Sequence, residues 1–371
     1  MRRARSFTGG FVVFFLALFA TASAQSRRVA PTPTPTPEDE TVRIPTEEIK
    51  LNVLAFDEDG KFVRDVRDSD LVITDNNILH QPSSVRRIPA NVLIVLDTGG
   101  ELRAVKSLDR TKKTARAVVE ALRPGDQVAV MQYGDTASII GEWTGDKQQA
   151  LAAINRTKFG RRDAFVDALN LARSFLMKGG LENKHLVLIT DGTDSTSNSS
   201  AKHDALSAML ATDISVHVLS YTRMEAEDVT PRTKMTSNSR PPKAMPDEVT
   251  AQLPPGVRDA ASAPKIGPTI NLDRTLLKKL KARKADLENS EEQLNALAAS
   301  TNGEFIVPES TDEMVEKASL VARMIDSSYV VTYTPKFPVN EHGGERDIMV
   351  TSKRPGLVVE ARRKLVVNGA K

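Results

Sequence analysis

Val92-Leu93-Ile94-Val95-Leu96-Asp97-Thr98-Gly99-Gly100-Glu101 is the stretch whose reading decides the fold. An unbroken apolar run without polar alternation marks a strand buried on both faces, as inside a parallel sheet. It ends on an aspartate and two glycines, so Asp97 sits at a strand's carboxyl end, where open α/β sheets collect ligands. Working outward, Val105, Leu108, Ala115, Val118, Val119 and Leu122 repeat at helical spacing and predict a helix over 104–122. Residues 127–133 and 137–143 read as two strands joined at Gly134-Asp135. Phe165, Ala168, Leu169, Ala172 and Leu176 make 164–177 an amphipathic helix. A buried strand over 185–190, a helix over 201–212 and a strand over 214–221 follow. Strands alternating with helices predict an α/β domain, a mostly parallel central sheet wrapped by helices.

The flanks have another rhythm. Ile49-Lys50-Leu51-Asn52-Val53-Leu54-Ala55 alternates, Asp59-Gly60 is a hairpin turn, and Leu71-Val72-Ile73-Thr74 runs into the turn cluster Asp75-Asn76-Asn77. Asp57-Glu58-Asp59-Gly60 lacks the alternating oxygens and closing glutamate of a calcium loop and reads as a plain turn. Prolines recur through 223–270 with little apolar periodicity, which predicts a disordered surface insertion. Helical order resumes near Asp273, carries Leu280, Leu287 and Leu294, and stops at Asn302-Gly303. A short strand over 304–307 and a helix over 311–325 precede β structure at 329–334, 345–351 and 357–363. The expected organisation is an N-terminal β segment at 48–90, the α/β domain at 91–335, and a C-terminal β segment at 336–371. The last packs with 48–90 as a small β domain.

Arg2, Arg3 and Arg5, a short apolar run over 11–20 and Ala22-Ser23-Ala24 form a secretory signal peptide, residues 1–24, cleaved after Ala24. Its apolar core falls short of the roughly 20 residues a bilayer span needs, so no transmembrane anchor is expected after cleavage. The Pro/Thr alternation of 31–37, within a linker at 25–47, favours extended backbone and reads as a stiff spacer. The expected location is periplasmic or secreted. Cysteine is absent, which removes disulfides, thiolate metal sites and cysteine nucleophiles. A net charge of +3 with 5% aromatic residues gives no basic, aromatic-interleaved surface for nucleic acid. The basic cluster at 278–284 is answered by Asp286, Glu288, Glu291 and Glu292 and reads as a solvated helix face.

Asp191 ends the second buried strand in Ile189-Thr190-Asp191-Gly192-Thr193-Asp194, as Asp97 ends the first. Carboxylates from separate loops are what a hard divalent cation requires. Other chemistry is thin. His80, His185, His203, His217 and His342 show no zinc-ligand spacing, and His185 and His217 read as hydrogen-bonded structural residues. No nucleophile elbow and no phosphate-binding loop occur, so an enzyme is not expected.

Asp97-x-Gly99-x-Glu101, the segment Arg162-Asp163-Ala164-Phe165-Val166-Asp167-Ala168-Leu169, and Thr190-Asp191-Gly192 follow one another in the order and spacing of von Willebrand factor type A domains. With Tyr329-Val330-Val331-Thr332-Tyr333-Thr334-Pro335 and Lys353-Arg354-Pro355-Gly356-Leu357, residues 48–366 outside the insertion resemble the von Willebrand-related family common in acidobacteria. The resemblance implies a Rossmann-like domain that binds protein ligands, often through Mg²⁺ or Mn²⁺. It implies a first loop of the form Asp-x-Ser-x-Ser and a threonine on a second loop. Here Gly99 and Glu101 replace the serines, and Asp163 stands for the threonine. The candidate metal residues are therefore Asp97, Glu101, Asp163 and Asp191, a degenerate metal-ion-dependent adhesion site with up to four carboxylates. Three readings stay open: metal-dependent ligand binding, a structural metal such as Ca²⁺, or no metal, with the guanidinium of Arg161 or Arg162 in the cation's place. The expected function is that of an exported, non-enzymatic, adhesion-type protein with an unidentified protein partner. The alternatives are a structural, self-assembling envelope protein and a metal-dependent hydrolase.

Overall fold

A computed structural model describes residues 48–100, 105–237, 247–262, 269–270, 272–336, 344–362 and 364–367. The expected leader and spacer, and Glu101, lie outside the described residues. Four short strands come first: β1 (Ile49–Phe56), β2 (Leu71–Asp75), β3 (Ile78–His80) and β4 (Ser84–Arg86). The α/β body starts with β5 (Asn91–Asp97), α1 (Leu108–Ala121), β6 (Gln127–Tyr133), β7 (Ala137–Thr144) and α2 (Lys147–Arg156). It continues through α3 (Phe165–Leu176), β8 (Lys184–Thr190), α4 (Ser199–Leu210), β9 (Ser215–Ser220) and α5 (Thr222–Arg232). The minor elements β10 (Thr236–Ser237), α6 (Asp247–Thr250), α7 (Pro255–Ser262) and β11 (Thr269–Ile270) precede α8 (Arg274–Ser300), β12 (Phe305–Ile306) and α9 (Thr311–Asp326). β13 (Ser328–Tyr333), β14 (Gly344–Ser352), β15 (Val358–Ala361) and β16 (Lys364–Val367) close the chain.

The central sheet has the order β12-β9-β8-β5-β6-β7, parallel throughout except for the antiparallel edge strand β7. Strand periodicity sorts β5 into two cores. Val92, Ile94 and Leu96 pack on one face with Val118 and Val119 of α1 and Val321 and Ile325 of α9. Leu93 and Val95 pack on the other with Phe165 and Leu169 of α3 and Leu294 and Leu297 of α8. From β5 the chain goes to β6 on one side, and later to β8 and β9 on the other. The topological switch point thus lies between β5 and β8, and the crevice there opens at the carboxyl ends.

The two ends of the sequence do join. β1 pairs antiparallel with β13 (Leu51 opposite Val331) and with β15, while β14 pairs with β2 (Val350 opposite Ile73). Ile49, Leu51, Val53, Leu71, Ile73, Val331 and Ile348 form this domain's own core. Inside it Asp75 accepts from Arg346 Nε at 3.0 Å and from the Tyr333 hydroxyl at 3.0 Å, tying β2 to β13 and β14. The other face of β1 meets the amino-terminal edge of the central sheet: Lys50 Nζ lies 2.7 Å from Glu182, and Asn52 Nδ2 donates to Ser215 Oγ at 3.0 Å. The β domain therefore braces the sheet at the end opposite the crevice.

Three expectations need correction. β13 falls inside the 91–335 span expected for the α/β domain, yet pairing places it in the β domain between β1 and β4. Helix α2 was not expected, because its buried face is only Ala150, Ala153 and Ile154, too small a stripe to stand out. Its start is marked by Asp146, whose side chain accepts from the Gln148 N–H. The expected disorder over 223–270 is overturned at its start. Residues 223–232 belong to α5, which buries Met224, Glu225 and Val229 and packs on α8. A polar composition hid this helix because its partner lies far along the chain. Residues 238–246 and 263–268 of the insertion lie outside the described residues.

Candidate functional site

The carboxyl ends of β5 and β8 deliver Asp97 and Asp191 to one buried point. What meets them there is the ammonium of Lys106, from the segment leading into α1. Lys106 Nζ donates to Asp97 Oδ2 at 2.7 Å and to Asp191 Oδ2 at 3.1 Å, and lies 3.6 Å from Asp163 Oδ1. Its side chain has no solvent exposure. Arg283 of α8 completes the cluster: its Nη2 donates to Asp191 Oδ2 at 2.9 Å and its Nη1 to Thr193 Oγ1. Three of the four candidate metal residues thus converge, around a lysine.

Each carboxylate is held differently. Asp97 also accepts from Thr190 Oγ1 at 3.2 Å and from the Gly99 N–H at 3.2 Å. Asp191 Oδ1 accepts from the N–H and hydroxyl of Thr193, at 3.0 and 2.7 Å. The loop of Asp163 is fastened to that of Ser195: the Asp163 N–H donates to Ser195 Oγ at 2.8 Å and the Ser195 N–H to the Asp163 carbonyl at 2.9 Å. Yet Asp163 Oδ1 is buried and accepts no hydrogen bond among the described residues. Asp194 Oδ2 accepts from the Val166 N–H at 2.7 Å, so it caps α3 across the loop gap, where Ala164 has no side chain to do so. Gly99 has a steric reason. A Cβ there would lie 1.9 Å from the Arg162 carbonyl oxygen, so a serine cannot stand at that place. Gly192, at φ +66°, sits where a Cβ would meet Leu294 of α8 at 2.6 Å.

Burial works against every charge here, and the partners decide the outcome. Burial penalises the Lys106 ammonium, but Asp191, Asp97 and Asp163 outweigh it and raise its pKa above the ordinary lysine value. Burial pushes Asp191 up, yet Lys106 and Arg283 hold it well below the carboxylate range. Asp163 goes the other way: burial, aided by Asp97 and Asp191, raises its carboxyl to about 7 against the pull of Lys106. Asp97, Asp163 and Asp191 face Lys106 and Arg283, and the buried Glu225 adds a further carboxylate that acts on Arg283.

A divalent cation does not fit this arrangement. The ammonium fills the point between the carboxylates, and Lys106 with Arg283 already brings the two positive charges such an ion would carry. Among the described residues no group of three or more His, Asp or Glu side chains is spaced as metal ligands. The cation expected in a metal's place was a guanidinium of Arg161 or Arg162. The structure corrects this to Lys106 and Arg283. Arg161 and Arg162 are exposed, their backbone N–H groups bound by Asp135 Oδ1 at 3.2 and 3.1 Å. With Lys279 and Arg283 they line a groove of about 920 Å³ between the strand-end loops and α8.

Sequence reading missed Lys106, Arg283 and Glu225. Glu225, fully buried on α5, accepts from the N–H groups of Val105 and Lys106 at 2.9 and 2.6 Å and so fixes the lysine's backbone. Arg283 carried a readable signal. It lies three residues after Leu280 and four before Leu287, on the buried stripe of α8, so the cluster at 278–284 is not wholly a solvated face. Lys106 carried none.

Residues 92–193 match the von Willebrand factor type A domain family. No curated protein matches the chain. Among solved structures, a von Willebrand factor type A protein from Catenulispora acidiphila is 11% identical, covering 82% of this chain and 75% of its own, with a TM-score of 0.42. BatB, a conserved hypothetical protein from Bacteroides thetaiotaomicron, is 17% identical over 63% of this chain and 98% of its own, with a TM-score of 0.36. Manganese-loaded TRAP protein from Plasmodium vivax is 9% identical over 79% and 97%, with a TM-score of 0.36. The matched span runs from the first buried strand to the loop of Asp191 and carries the cluster except for Arg283. Residues 92–193 therefore carry the match to the von Willebrand factor type A domain.

Proposed function

We propose that the chain is an exported, non-enzymatic, adhesion-type binding protein that engages a protein partner at the crevice rim without a divalent cation. The observation that carries this is the buried Lys106 ammonium, which stands where a metal-dependent module keeps its ion open to a partner. The rim above it still offers a surface. Arg161, Arg162 and Lys279 face the groove as exposed cations against the exposed carboxylate of Asp286, while Asp135 and Asp194 are engaged by backbone N–H groups. Such a rim complements an acidic patch on a partner. A hydrolytic role has little support: the Ser195 hydroxyl is engaged by the Asp163 N–H, and the Lys106 ammonium fills the point between the carboxylates. Export, with a periplasmic or secreted location, is supported by the leader at 1–24. Among the described residues no helix is long and apolar enough to cross a membrane.

The test is capture of a partner from envelope extract by the mature chain. A stoichiometric partner should stay bound in chelator and be lost in Arg161→Glu/Arg162→Glu with the fold unchanged by circular dichroism. Loss of capture in chelator alone, or retention in the double variant, overturns the reading. A second reading, self-assembly through the β domain, is favoured by one feature. Leu79 (63% exposed) and Met349 (57% exposed) flank Thr74 in register on one sheet face. Concentration-dependent association abolished by Leu79→Lys would establish it.

A further inference from the structure

We propose that Lys106 is a tethered replacement for a divalent cation, and that removing its ammonium converts Asp97, Asp163 and Asp191 into a cation site the native chain lacks. Three observations carry this, and none depends on what the rim binds. An ammonium has three N–H donors, and three carboxylate oxygens from three separate loops stand 2.7, 3.1 and 3.6 Å from it. Two of those loops follow adjacent parallel strands at the switch point, so the sheet sets the backbone of Asp97 and Asp191 side by side independently of the lysine. Asp163 Oδ1 is buried, aimed at the same point, and without a hydrogen-bond partner among the described residues. An acceptor left unused beside a monovalent ammonium is one that an ion of higher charge and coordination number would take up.

Size says which ion. Coordination at about 2.1 Å, as Mg²⁺ requires, would draw the oxygens in by about 0.6 to 1.5 Å, whereas about 2.5 Å for Ca²⁺ needs about 0.2 to 1.1 Å. Ca²⁺ therefore enters with the smaller rearrangement. Arg283 remains beside Asp191 and competes with any ion, so native affinity for metal is opposed twice, by occupancy and by charge.

The experiment is titration of the mature chain with CaCl₂, MgCl₂ and MnCl₂ separately, by calorimetry and by the shift in melting temperature. The native chain should give neither heat nor shift at millimolar concentration. Lys106→Ala should bind one equivalent, with Ca²⁺ at least ~100-fold tighter than in the native chain, and gain melting temperature as the ion is added. Adding Asp191→Asn to that variant should abolish binding. If Lys106→Ala is unfolded alone, ion-dependent refolding is the equivalent positive result. Lys106→Ala that none of the three ions refolds overturns the latent site. One equivalent of ion on the native chain, lost in Asp191→Asn, would show the lysine is no replacement. A folded lysine variant that takes up none of the three ions overturns the latent site.

Discussion

The two ends of the central sheet each bury a polar network, and the two are built on opposite principles. At the amino-terminal edge the network is neutral. The Glu304 N–H donates to His217 Nδ1 at 3.1 Å, which leaves His217 Nε2 to donate to His185 Nδ1 at 3.1 Å, and His185 Nε2 to donate to Asn183 Oδ1 at 2.8 Å. Both imidazoles are thereby set as Nε2–H tautomers, and along this chain every donor meets an acceptor. At the carboxyl-terminal edge the network is ionic and leaves Asp163 Oδ1 unmatched among the described residues. A neutral, closed chain is what a structural joint needs, and it lies where the β domain is braced. An ionic, unclosed cluster is poorly suited to stability alone, since desolvation of ions is costly. It lies where this fold places ligand sites.

The sharpest way to break that contrast is to remove the carboxylate both cations share. Asp191→Asn leaves Lys106 and Arg283 buried with less compensation. It should lower unfolding free energy by about 3–5 kcal/mol, measured by urea denaturation. A loss below 1 kcal/mol would mean that the cluster is wetter than its geometry indicates.

A smaller effect is expected at the neutral end. His217→Phe keeps the volume but strands the Glu304 N–H and His185 Nδ1, at a cost of about 1–3 kcal/mol. The same variant tests the protonation state. Unfolded histidine takes a proton near pH 6.5, whereas burial holds His217 neutral down to about 4 and His185 well below its ordinary value, with His217 and Arg123 adding to the latter. Glu304, whose backbone N–H meets His217, has its own carboxyl raised by burial, with Glu360 adding to the rise. Between those values the unfolded chain binds more protons than the folded one, so stability rises with pH. The contribution is complete above pH 6.5 and is lost as pH falls towards 4. Urea denaturation from neutral pH to about 5 should show His217→Phe less acid-sensitive than the native chain by about 1 kcal/mol per pH unit. An unchanged slope would place a proton on the native pair.

The smallest effect should come from Asp163→Asn. Its carboxyl is already pushed towards the neutral form, to about 7, by burial and by Asp97 and Asp191. Removing that charge should change stability by less than about 1 kcal/mol at neutral pH. A cost equal to that of Asp191→Asn would erase the distinction between a matched and an unmatched carboxylate.

Most of the fold was legible, and the reason is local. The unbroken run 92–96 reported burial on both faces, and the alternation of 49–55 reported a sheet with two different faces. Where the apolar signal was small, as in α2 with its two buried alanines, or was replaced by polar contacts, as in α5, the element was missed. In the site, Asp97 and Asp191 were legible because strand ends at a switch point are set by topology. Asp163 followed from the family resemblance. Glu225 was hidden, since it caps a backbone segment more than a hundred residues before it.

By itself the sequence determined an α/β sheet with acidic strand ends and β flanks, because hydrophobic periodicity records which faces leave water. Only the tertiary structure decided that a lysine would close the acidic crevice. Charge compensation in a buried site is satisfied by whichever cation the packing delivers within about 3 Å, and nothing in the residues around Lys106 encodes that distance.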